Sequence, residues 1–321
     1  MSSRLSLALD SGLTLSEPIS VIGPTPDHDL SALPNGVEIV QPFKPFHDHF
    51  RDRGFAAVPE TDSACEDVVL FLPRAKAQAR AMIHHACSRA SGTVAVDGAK
   101  TDGVDSLLKD VRKRVEIEGP IAKAHGKIFW FKADPDAFAD WAASTGQMAD
   151  GFQTAPGVFS ADGVDPASTL LRQTLPPKLG PRVADLGAGW GYLSSGLLQD
   201  DTVRTLHLVE ADHTALTCAR TNVPDPRAQF HWADAVTWSA PEPVDTVVMN
   251  PPFHTSRSAD PDLGRGFITA AARNLSRSGH LWMVANRHLP YETTLTDAFA
   301  RVEEIAGDNR FKVFHASRPR R

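Results

Sequence analysis

The feature that most constrains the fold is a glycine-rich segment, residues 183–191 (VADLGAGWG). A run of strand-like residues leads directly into three closely spaced glycines, and a helical pattern begins at Tyr192. Glycine is favoured at such a point because the backbone turns sharply and a ligand can approach it closely. In α/β sheets, a strand–turn–helix unit of this kind places its ligand above the carboxyl end of the strand. The segment therefore predicts an α/β sheet with a binding site at that edge.

The spacing of the glycines distinguishes between two classes of cofactor. A dinucleotide fingerprint, G-x-G-x-x-G, requires its third glycine at position 192, where the chain has Tyr192. Here the spacing is G-x-G-x-G, formed by Gly187, Gly189 and Gly191. Asp185 precedes the first glycine by two residues, and a carboxylate there favours an amino group or an ordered water over a pyrophosphate. We therefore predict that these four residues bind S-adenosylmethionine rather than NAD; the alternative is a purely structural turn.

Two further acids follow the next two predicted strands. Glu210 ends the strand that comes after the glycines, about 20 residues on, where a ribose-binding carboxylate belongs in such folds. Its two oxygens are able to accept both ribose hydroxyl groups. Asp234 follows the third strand, and we expect it to accept from the adenine amino group. The alternatives are a surface acid at position 210 and a turn-forming acid at position 234.

A second motif, Asn250-Pro251-Pro252-Phe253, comes directly after the predicted strand 245–249. An exocyclic or amide nitrogen is a poor nucleophile while its lone pair is conjugated. The Asn250 side-chain oxygen and the Pro251 carbonyl can each accept one N–H bond from it, which turns the lone pair toward a methyl donor. Two successive prolines fix the acceptors in place, and Phe253 offers a flat face to an extruded base. We predict these four residues to be catalytic; the alternative is a rigid turn.

The rest of the chain repeats the same alternation of predicted strands and helices. Its 321 residues and 42% hydrophobic content predict two domains with ordinary cores. In the second half the predicted strands are 182–186, 204–210, 228–232, 245–249, 280–285 and 311–315, with helices at 192–198, 213–221, 263–275 and 292–300. In the first half, strands at 67–72, 93–96 and 127–132 and helices at 75–88 and 104–113 predict a parallel sheet covered by helices. We therefore predict domains at 1–150 and 156–321, and a duplicated fold is consistent with this pattern.

Composition excludes several other classes of protein. No stretch approaches the ~20 apolar residues that a membrane span needs, and the N-terminal pattern breaks at Asp10 before a signal-peptide core forms. Cys65, Cys87 and Cys218 are widely spaced, which is typical of reduced thiols in a cytoplasmic protein. The net charge of −6 argues against a protein that coats nucleic acid by charge alone. The segments His47-Asp48-His49 and His84-His85 have no second cluster with metal spacing, so we predict no metal site.

Together, the glycine segment, Glu210 and the Asn-Pro-Pro-Phe motif resemble the class I S-adenosylmethionine-dependent methyltransferases that modify nitrogen atoms. More narrowly, the chain is similar to the two-domain bacterial ribosomal RNA guanine-N2 methyltransferases, in particular the small-subunit (16S) methyltransferase C type. The segments that carry this similarity are 156–165 (PGVFSADGVD), 250–254 (NPPFH), 284–291 (VANRHLPY) and 310–314 (RFKVF).

The resemblance implies two tandem Rossmann-like methyltransferase domains, of which the first is degenerate and assists folding and RNA or ribosome docking. It implies methylation of the exocyclic N2 of a guanine in 16S ribosomal RNA, with the small ribosomal subunit as partner and a monomeric enzyme. It also adds Phe159 to the cofactor-binding residues. The sequence itself agrees that the first domain is degenerate. No G-x-G follows the early strands that end at Leu72 and Val96, and the first half has no Asn-Pro-Pro.

Three other functions remain open from the sequence. A large-subunit (23S) guanine-N2 methyltransferase shares the same motif residues. A protein glutamine-N5 methyltransferase is the second alternative, because the Asn-Pro-Pro geometry also suits an amide nitrogen. The third is a non-catalytic RNA-binding assembly factor, against which the presence of Asp185, Glu210 and Asn250 argues.

Overall fold

The chain forms two compact units in a computed structural model, Met1–Thr145 and Gly146–Arg321. The structure describes residues 3–143, 146–147, 151–252 and 261–320. Within these residues, no helix is both long enough and apolar enough to cross a membrane.

The first unit carries, within its described residues, a seven-stranded sheet in the order β3-β2-β1-β4-β5-β7-β6. Its strands are β1 (Ile19–Ile22), β2 (Glu38–Val40), β3 (Ala56–Val58), β4 (Asp67–Phe71), β5 (Thr93–Ala99), β6 (Glu118–Lys123) and β7 (Gly126–Lys132). Its helices are α1 (Arg4–Asp10), α2 (Lys44–Asp52), α3 (Lys76–Arg89) and α4 (Val104–Val111), with short 3-10 turns at Lys100–Asp102 and Asp136–Trp141.

The second unit carries, in the part of it that the structure describes, a seven-stranded sheet in the order β12-β11-β10-β13-β14-β16-β15. These strands are β10 (Arg182–Leu186), β11 (Thr205–Glu210), β12 (Ala228–Trp232), β13 (Val244–Met249), β14 (Leu275–Asn286), β15 (Phe299–Gly307) and β16 (Phe311–Pro319), and a short pair precedes them, β8 (Gly146–Gln147) and β9 (Gln153–Thr154). The helices are α5 (Pro166–Thr174), α6 (Tyr192–Leu197), α7 (His213–Asn222), α8 (Pro261–Asn274) and α9 (Glu292–Ala298).

The two sheets have the same topology, strand for strand. In each, five neighbouring strands are parallel and the last two pair antiparallel, so that β10 corresponds to β1, β11 to β2 and β13 to β4. Alternate residues of the central strands belong to different apolar clusters: Val68 and Leu70 pack on one face of the first sheet, and Val69 on the other. Both faces are therefore covered, as in doubly wound α/β folds. The prediction of two tandem Rossmann-like domains is confirmed.

The sheets are mixed, whereas the sequence pattern predicted a parallel sheet in the first half. β7 runs antiparallel to β5 because β6 and β7 form a hairpin, whose turn residues Ala124 and His125 adopt positive φ angles of 48° and 55°. The predicted strand 93–96 is also too short. β5 continues through Asp97, which is buried because the Arg4 guanidinium donates to its carboxylate, with Nε 2.9 Å from Oδ1.

Pattern analysis missed the strands β1, β2, β3, β6, β8, β9 and β15 and the helices α1, α2 and α5. The strands β1, β2 and β3 are only three or four residues long, too short for a clear periodicity. In the second half, the predicted helix 292–300 ends two residues early, since Phe299 is only 1% exposed and begins β15 instead. The other predicted strands and helices of this half match the observed elements to within a few residues at most of their ends.

Candidate active site

The predicted motifs of the second unit converge at the carboxyl edge of its sheet. β10 lies between β11 and β13, and Leu186 pairs in register with Val209 on one side and Met249 on the other. The glycine segment, Glu210 and Asn250 therefore begin at the same level on three adjacent strands. This is the edge at which open α/β sheets bind their ligands.

The three glycines each have a left-handed backbone, with φ angles of 76° at Gly187, 55° at Gly189 and 93° at Gly191. A Cβ atom at Gly187 would lie 3.3 Å from the Phe267 ring. At Gly191 it would lie 2.8 Å from Cγ2 of Val223, the residue that directly follows α7. At Gly189, by contrast, a Cβ would meet nothing within 4 Å, so this glycine faces open space that a ligand can fill.

Glu210 is joined to the glycine loop by its carboxylate. Oε2 accepts from the Gly189 N–H at 2.7 Å, and Oε1 accepts from the Asp212 N–H at 2.8 Å. Burial raises the pKa of this carboxyl group to about 7, and the two backbone donors oppose that rise. Each carboxylate oxygen has a second lone pair, so the group that shapes the loop still has acceptors for ligand hydroxyls.

Asp185 lies beneath the loop rather than in contact with the open space. It is fully buried; the Ser194 hydroxyl donates to Oδ2 at 2.7 Å, and Oδ1 is buried with no hydrogen-bond partner in the structure. Burial raises the pKa of this carboxyl to about 7, against the effect of the Ser194 hydrogen bond. A buried acceptor with spare capacity suits a cationic or N–H-bearing ligand above it.

A segment before α5 packs against the glycine loop. The Trp190 indole N–H donates to the Phe159 carbonyl at 2.9 Å, and the Trp190 ring packs beside Phe152. The Asn222 side chain hydrogen-bonds to both the glycine loop and this segment. Its Nδ2 group donates to the Trp190 carbonyl at 2.7 Å and to the Gln153 carbonyl at 2.8 Å, and its Oδ1 atom accepts from the Gln153 N–H at 2.7 Å. The Phe159 side chain is left 57% exposed at the mouth of the site, an unusual position for a large apolar ring.

Two adjoining cavities meet at Asn250. The first, called here the loop cavity, is lined by Phe159, Ser160, Asp165, Ser168, Gly187, Ala188, Gly189, Trp190, Tyr192, Leu193 and Asn250. The second, called here the base cavity, is lined by Phe159, Asp165, Ala167, Asn250, Pro251, Ala285, Asn286, Leu289, Tyr291 and Phe311. Asn250 thus lines both the glycine-lined loop cavity and the adjoining base cavity, an arrangement that suits transfer between two ligands.

The orientation of the Asn250 amide follows from its partners. Its Nδ2 group donates to Asp165 Oδ2 and to Ser168 Oγ, both at 2.9 Å. Because the nitrogen is used in this way, the oxygen of the amide is the atom that is presented to a substrate.

The remaining predicted site residues occupy varied positions. Pro251 lines the base cavity, and Pro252 packs over the glycine loop, its Cδ 4.0 Å from the position of a Cβ at Gly187. Asp234 follows β12 and accepts from the Val236 N–H at 2.9 Å, so it also forms a turn. Phe253 lies outside the described residues.

Sequence reasoning missed four polar residues that hold the site together: Asp165, Ser168, Ser194 and Asn222. Asp165, Ser168 and Asn222 act over long sequence separations. Of these, only Asp165 belongs to a segment that carries the family resemblance, residues 156–165, but the sequence assigned it no role. Asp165 has a local signal, because an acid directly before Pro166 at a helix start is a typical N-cap, and its carboxylate accepts from the Ser168 N–H at 2.7 Å. That signal predicts the cap but not the contact with Asn250.

The same positions of the first unit carry different chemistry. The strand registers place Gln41 where the second unit has Glu210 and Phe71 where it has Asn250. The Gln41 amide donates to the Pro24 carbonyl at 2.7 Å and accepts from the Phe43 N–H at 2.9 Å. The ring of His28 stacks on Phe71 with centroids 4.0 Å apart, so side chains fill the edge at this point.

No group of three or more potential metal ligands occurs among the residues that the structure describes. Cys65, Cys87 and Cys218 are all free and buried. Burial raises the pKa of the Cys87 thiol to about 11, which makes it a poor nucleophile.

Comparison with known proteins agrees with this geometry. The sequence model of the family described as "Methyltransferase small domain" matches residues 150–315, slightly more than half of the chain. The ribosomal RNA small subunit methyltransferase C of Salmonella choleraesuis is 30% identical over 258 residues, covering 78% of this chain and 75% of that protein. The protein of the same name from Shewanella halifaxensis is 28% identical over 291 residues, covering 84% and 85%.

Among solved structures, a 16S rRNA N2 methyltransferase from T. thermophilus, determined in complex with AdoMet and guanosine, superposes with a TM-score of 0.78. The match covers 98% of this chain and 92% of that one at 23% identity, so it supports the fold of both units. The chain therefore belongs to the methyltransferase small domain family and, within it, to the ribosomal RNA small subunit methyltransferase C proteins.

Proposed function

We propose that this protein transfers a methyl group from S-adenosylmethionine to the exocyclic N2 of a guanine in 16S ribosomal RNA. The observation that carries the proposal is the position of Asn250, whose amide oxygen is presented at the boundary between the loop cavity and the base cavity. Family membership supports the same reaction, since the relatives carry the name ribosomal RNA small subunit methyltransferase C.

The loop cavity suits S-adenosylmethionine. Open space above Gly189 leaves room for the ligand against the backbone, and Glu210 has acceptor capacity for ribose hydroxyl groups. Asp185 offers a buried carboxyl oxygen below the loop. Asp234 lies at the next strand end for the adenine amino group, and the exposed Phe159 ring is available to cover the ligand. When bound, this cofactor supplies an electrophilic methyl group on a sulfonium sulfur.

The base cavity suits a flipped guanine. Four of its lining residues carry polar side-chain groups, Asp165, Asn250, Asn286 and Tyr291, and the others are apolar. Burial of a base against the apolar surfaces offsets the cost of unstacking it. The Asn250 oxygen and the Pro251 carbonyl then accept the two N–H bonds of the exocyclic amine, which directs its lone pair toward the loop cavity. No strong base is required, because the methylated cationic amine loses its proton readily to water. We propose that Phe253 stacks on the base.

The first unit has a supporting role in this proposal. Gln41 and Phe71 replace the acid and the amide at the corresponding strand ends, and the His28 ring packs where a ligand would lie. We propose that this unit is a degenerate copy, residues 1–150, that assists folding and RNA or ribosome docking, whereas residues 156–321 form the catalytic domain. Since the described site residues all come from one unit of one chain, we propose a monomer, acting in the cytoplasm where the small subunit is made.

The experiment is mass spectrometry of both ribosomal RNAs from a strain that lacks the gene, before and after complementation with wild type or Asn250→Ala. We expect one N2-methylguanine of 16S RNA to be lost and to return only with wild type. Loss of a 23S methylguanine, or of a methylglutamine in protein, would replace the proposed substrate by the corresponding alternative.

In vitro, Asn250→Ala should keep nearly wild-type affinity for S-adenosylmethionine, because its amide oxygen serves the substrate. Methyl transfer in a single turnover should fall about a hundred- to a thousand-fold, the usual cost of one pre-positioned hydrogen-bonding group, ~3–4 kcal/mol. Equal rates for the two proteins would mean that Asn250 is only a turn residue.

A further inference from the structure

We infer that Asp165, assisted by Ser168, is a positioning residue of methyl transfer: it fixes the rotamer of the Asn250 amide and polarises its oxygen. The inference deepens the proposed function and rests on it. Asp165 and Asn250 are 85 residues apart in the chain, yet the Asp165 Oδ2 atom lies 2.9 Å from the Asn250 nitrogen. The Ser168 hydroxyl oxygen lies at the same distance from that nitrogen.

Orientation is the first part of the argument. The two ends of an asparagine amide are nearly the same size, so packing alone does not decide which end faces the substrate. An amide turned the other way would present N–H groups to the target amine and accept nothing from it. The Asp165 carboxylate is an acceptor only, so it attracts the nitrogen and repels the oxygen of Asn250. Ser168 accepts the second N–H and so supports this orientation, but its hydroxyl can also donate, so the selection comes from Asp165.

Asp165 is itself held in place by the start of α5. Its Oδ2 atom caps the helix by accepting from the Ser168 N–H at 2.7 Å, and its carbonyl accepts from the Thr169 N–H at 3.0 Å. Pro166 occupies the first helical turn, where its fixed φ angle favours this start. The carboxylate that orients Asn250 therefore belongs to a rigid element rather than to a free surface loop.

Polarisation is the second part. A hydrogen bond from an amide nitrogen to a carboxylate is charge-assisted, and it shifts electron density toward the amide oxygen. That oxygen accepts from an amine that gains positive charge as the new N–C bond forms and the S–C bond breaks. A better acceptor at this point stabilises the transition state more than the ground state. Asp165 lines both cavities, so its negative charge is close to the transfer path.

The test must separate helix capping from amide positioning. Asp165→Ser keeps a side chain that caps helices well but is too short to reach Asn250. We expect a thermal unfolding midpoint close to wild type, a small change in S-adenosylmethionine affinity, and a single-turnover rate that is ten- to a hundred-fold lower. Ser168→Ala, which removes one acceptor, should lose less. A wild-type rate in Asp165→Ser would overturn the inference.

A reciprocal exchange gives a sharper test. Asn250→Asp alone should be severely impaired, because two carboxylates would then face each other where the nitrogen now donates. The double variant Asn250→Asp, Asp165→Asn restores one donor and one acceptor with their roles reversed, and it should recover at least ten-fold in rate over the Asn250→Asp variant. If the double variant is no better than the single one, the proposed contact does not govern the reaction.

A measurement without substrate distinguishes failure of this inference from failure of the proposed function. The Asn250 side-chain amide signals, assigned by their loss in Asn250→Ala, should be shifted downfield in the ¹H–¹⁵N spectrum of the wild-type protein. Asp165→Ser should move them toward the values of solvated amides. If they do not move, the inference is wrong whatever the substrate is; if they move but no 16S guanine is methylated by wild type, only the proposed function fails.

Discussion

Glu210 has two roles at the residue scale, since one carboxylate both closes the glycine loop and offers acceptors to a ligand. Glu210→Ala should weaken S-adenosylmethionine binding by roughly 1.5–3 kcal/mol, the cost of one lost charge-assisted bond, or about ten- to a hundred-fold in dissociation constant. Calorimetric titration of the full-length protein measures this directly.

The matched control is Gln41→Ala, which removes the residue at the same register position of the first unit. It should leave the dissociation constant unchanged. An unchanged value for Glu210→Ala would instead make Glu210 a loop-closing acid only, with the ribose held elsewhere.

Asn250 illustrates how the structure alters an expectation from the motif. From the sequence, Asn250→Asp is expected to retain more activity than Asn250→Ala, since an acid also accepts hydrogen bonds. The Asp165 carboxylate beside the amide nitrogen gives a reason for the opposite result, because an acid at position 250 would face a like charge at close range. The motif residue is visible in the sequence, whereas its electrostatic environment is not.

At the scale of elements, the turn from β10 into α6 depends on glycines for different reasons. Gly191→Ala places a methyl group in a left-handed residue and 2.8 Å from the Val223 side chain. The two penalties together should lower the free energy of unfolding of the second unit by about 2–4 kcal/mol.

Gly189→Ala is the control, because its Cβ would enter open space and only the backbone penalty applies, about 1–2 kcal/mol. This variant should instead weaken cofactor binding, since its methyl group projects toward the loop cavity. Denaturant unfolding followed by tryptophan fluorescence, with affinity measured in parallel, separates the two. A larger loss of stability in Gly189→Ala than in Gly191→Ala would contradict this account of the loop.

At the scale of the whole molecule, two sheets of identical strand order carry one set of site residues. We expect the full-length protein to bind S-adenosylmethionine with a stoichiometry of one. Phe71 and His28 stack at the strand end where the second unit has Asn250, and the loop there has a single glycine, Gly23, followed by Pro24. Calorimetry that gives two sites per chain would show that the first unit has kept a cofactor site.

The sequence by itself determined the local parts of the protein. The glycine spacing, the acid at the end of β11 and Asn250-Pro251 each depend on a few adjacent residues, and the longer strands of the second half have clear apolar runs. The short strands β1 to β3 escaped notice because three or four residues carry too little periodicity. From the sequence, the duplication was therefore suggested only by the alternation of strands and helices in both halves.

Only the tertiary structure decided which groups act on one another. The register of β10 with its two neighbours brings the glycines, Glu210 and Asn250 to one edge, and pairing across the sheet is not encoded in any single segment. The contact of Asp165 with Asn250 spans 85 residues, and it exists because α5 begins beside the end of β13. A sequence pattern specifies which groups are present, but distance and orientation fix their hydrogen bonds and charges, and these depend on how the whole sheet is assembled.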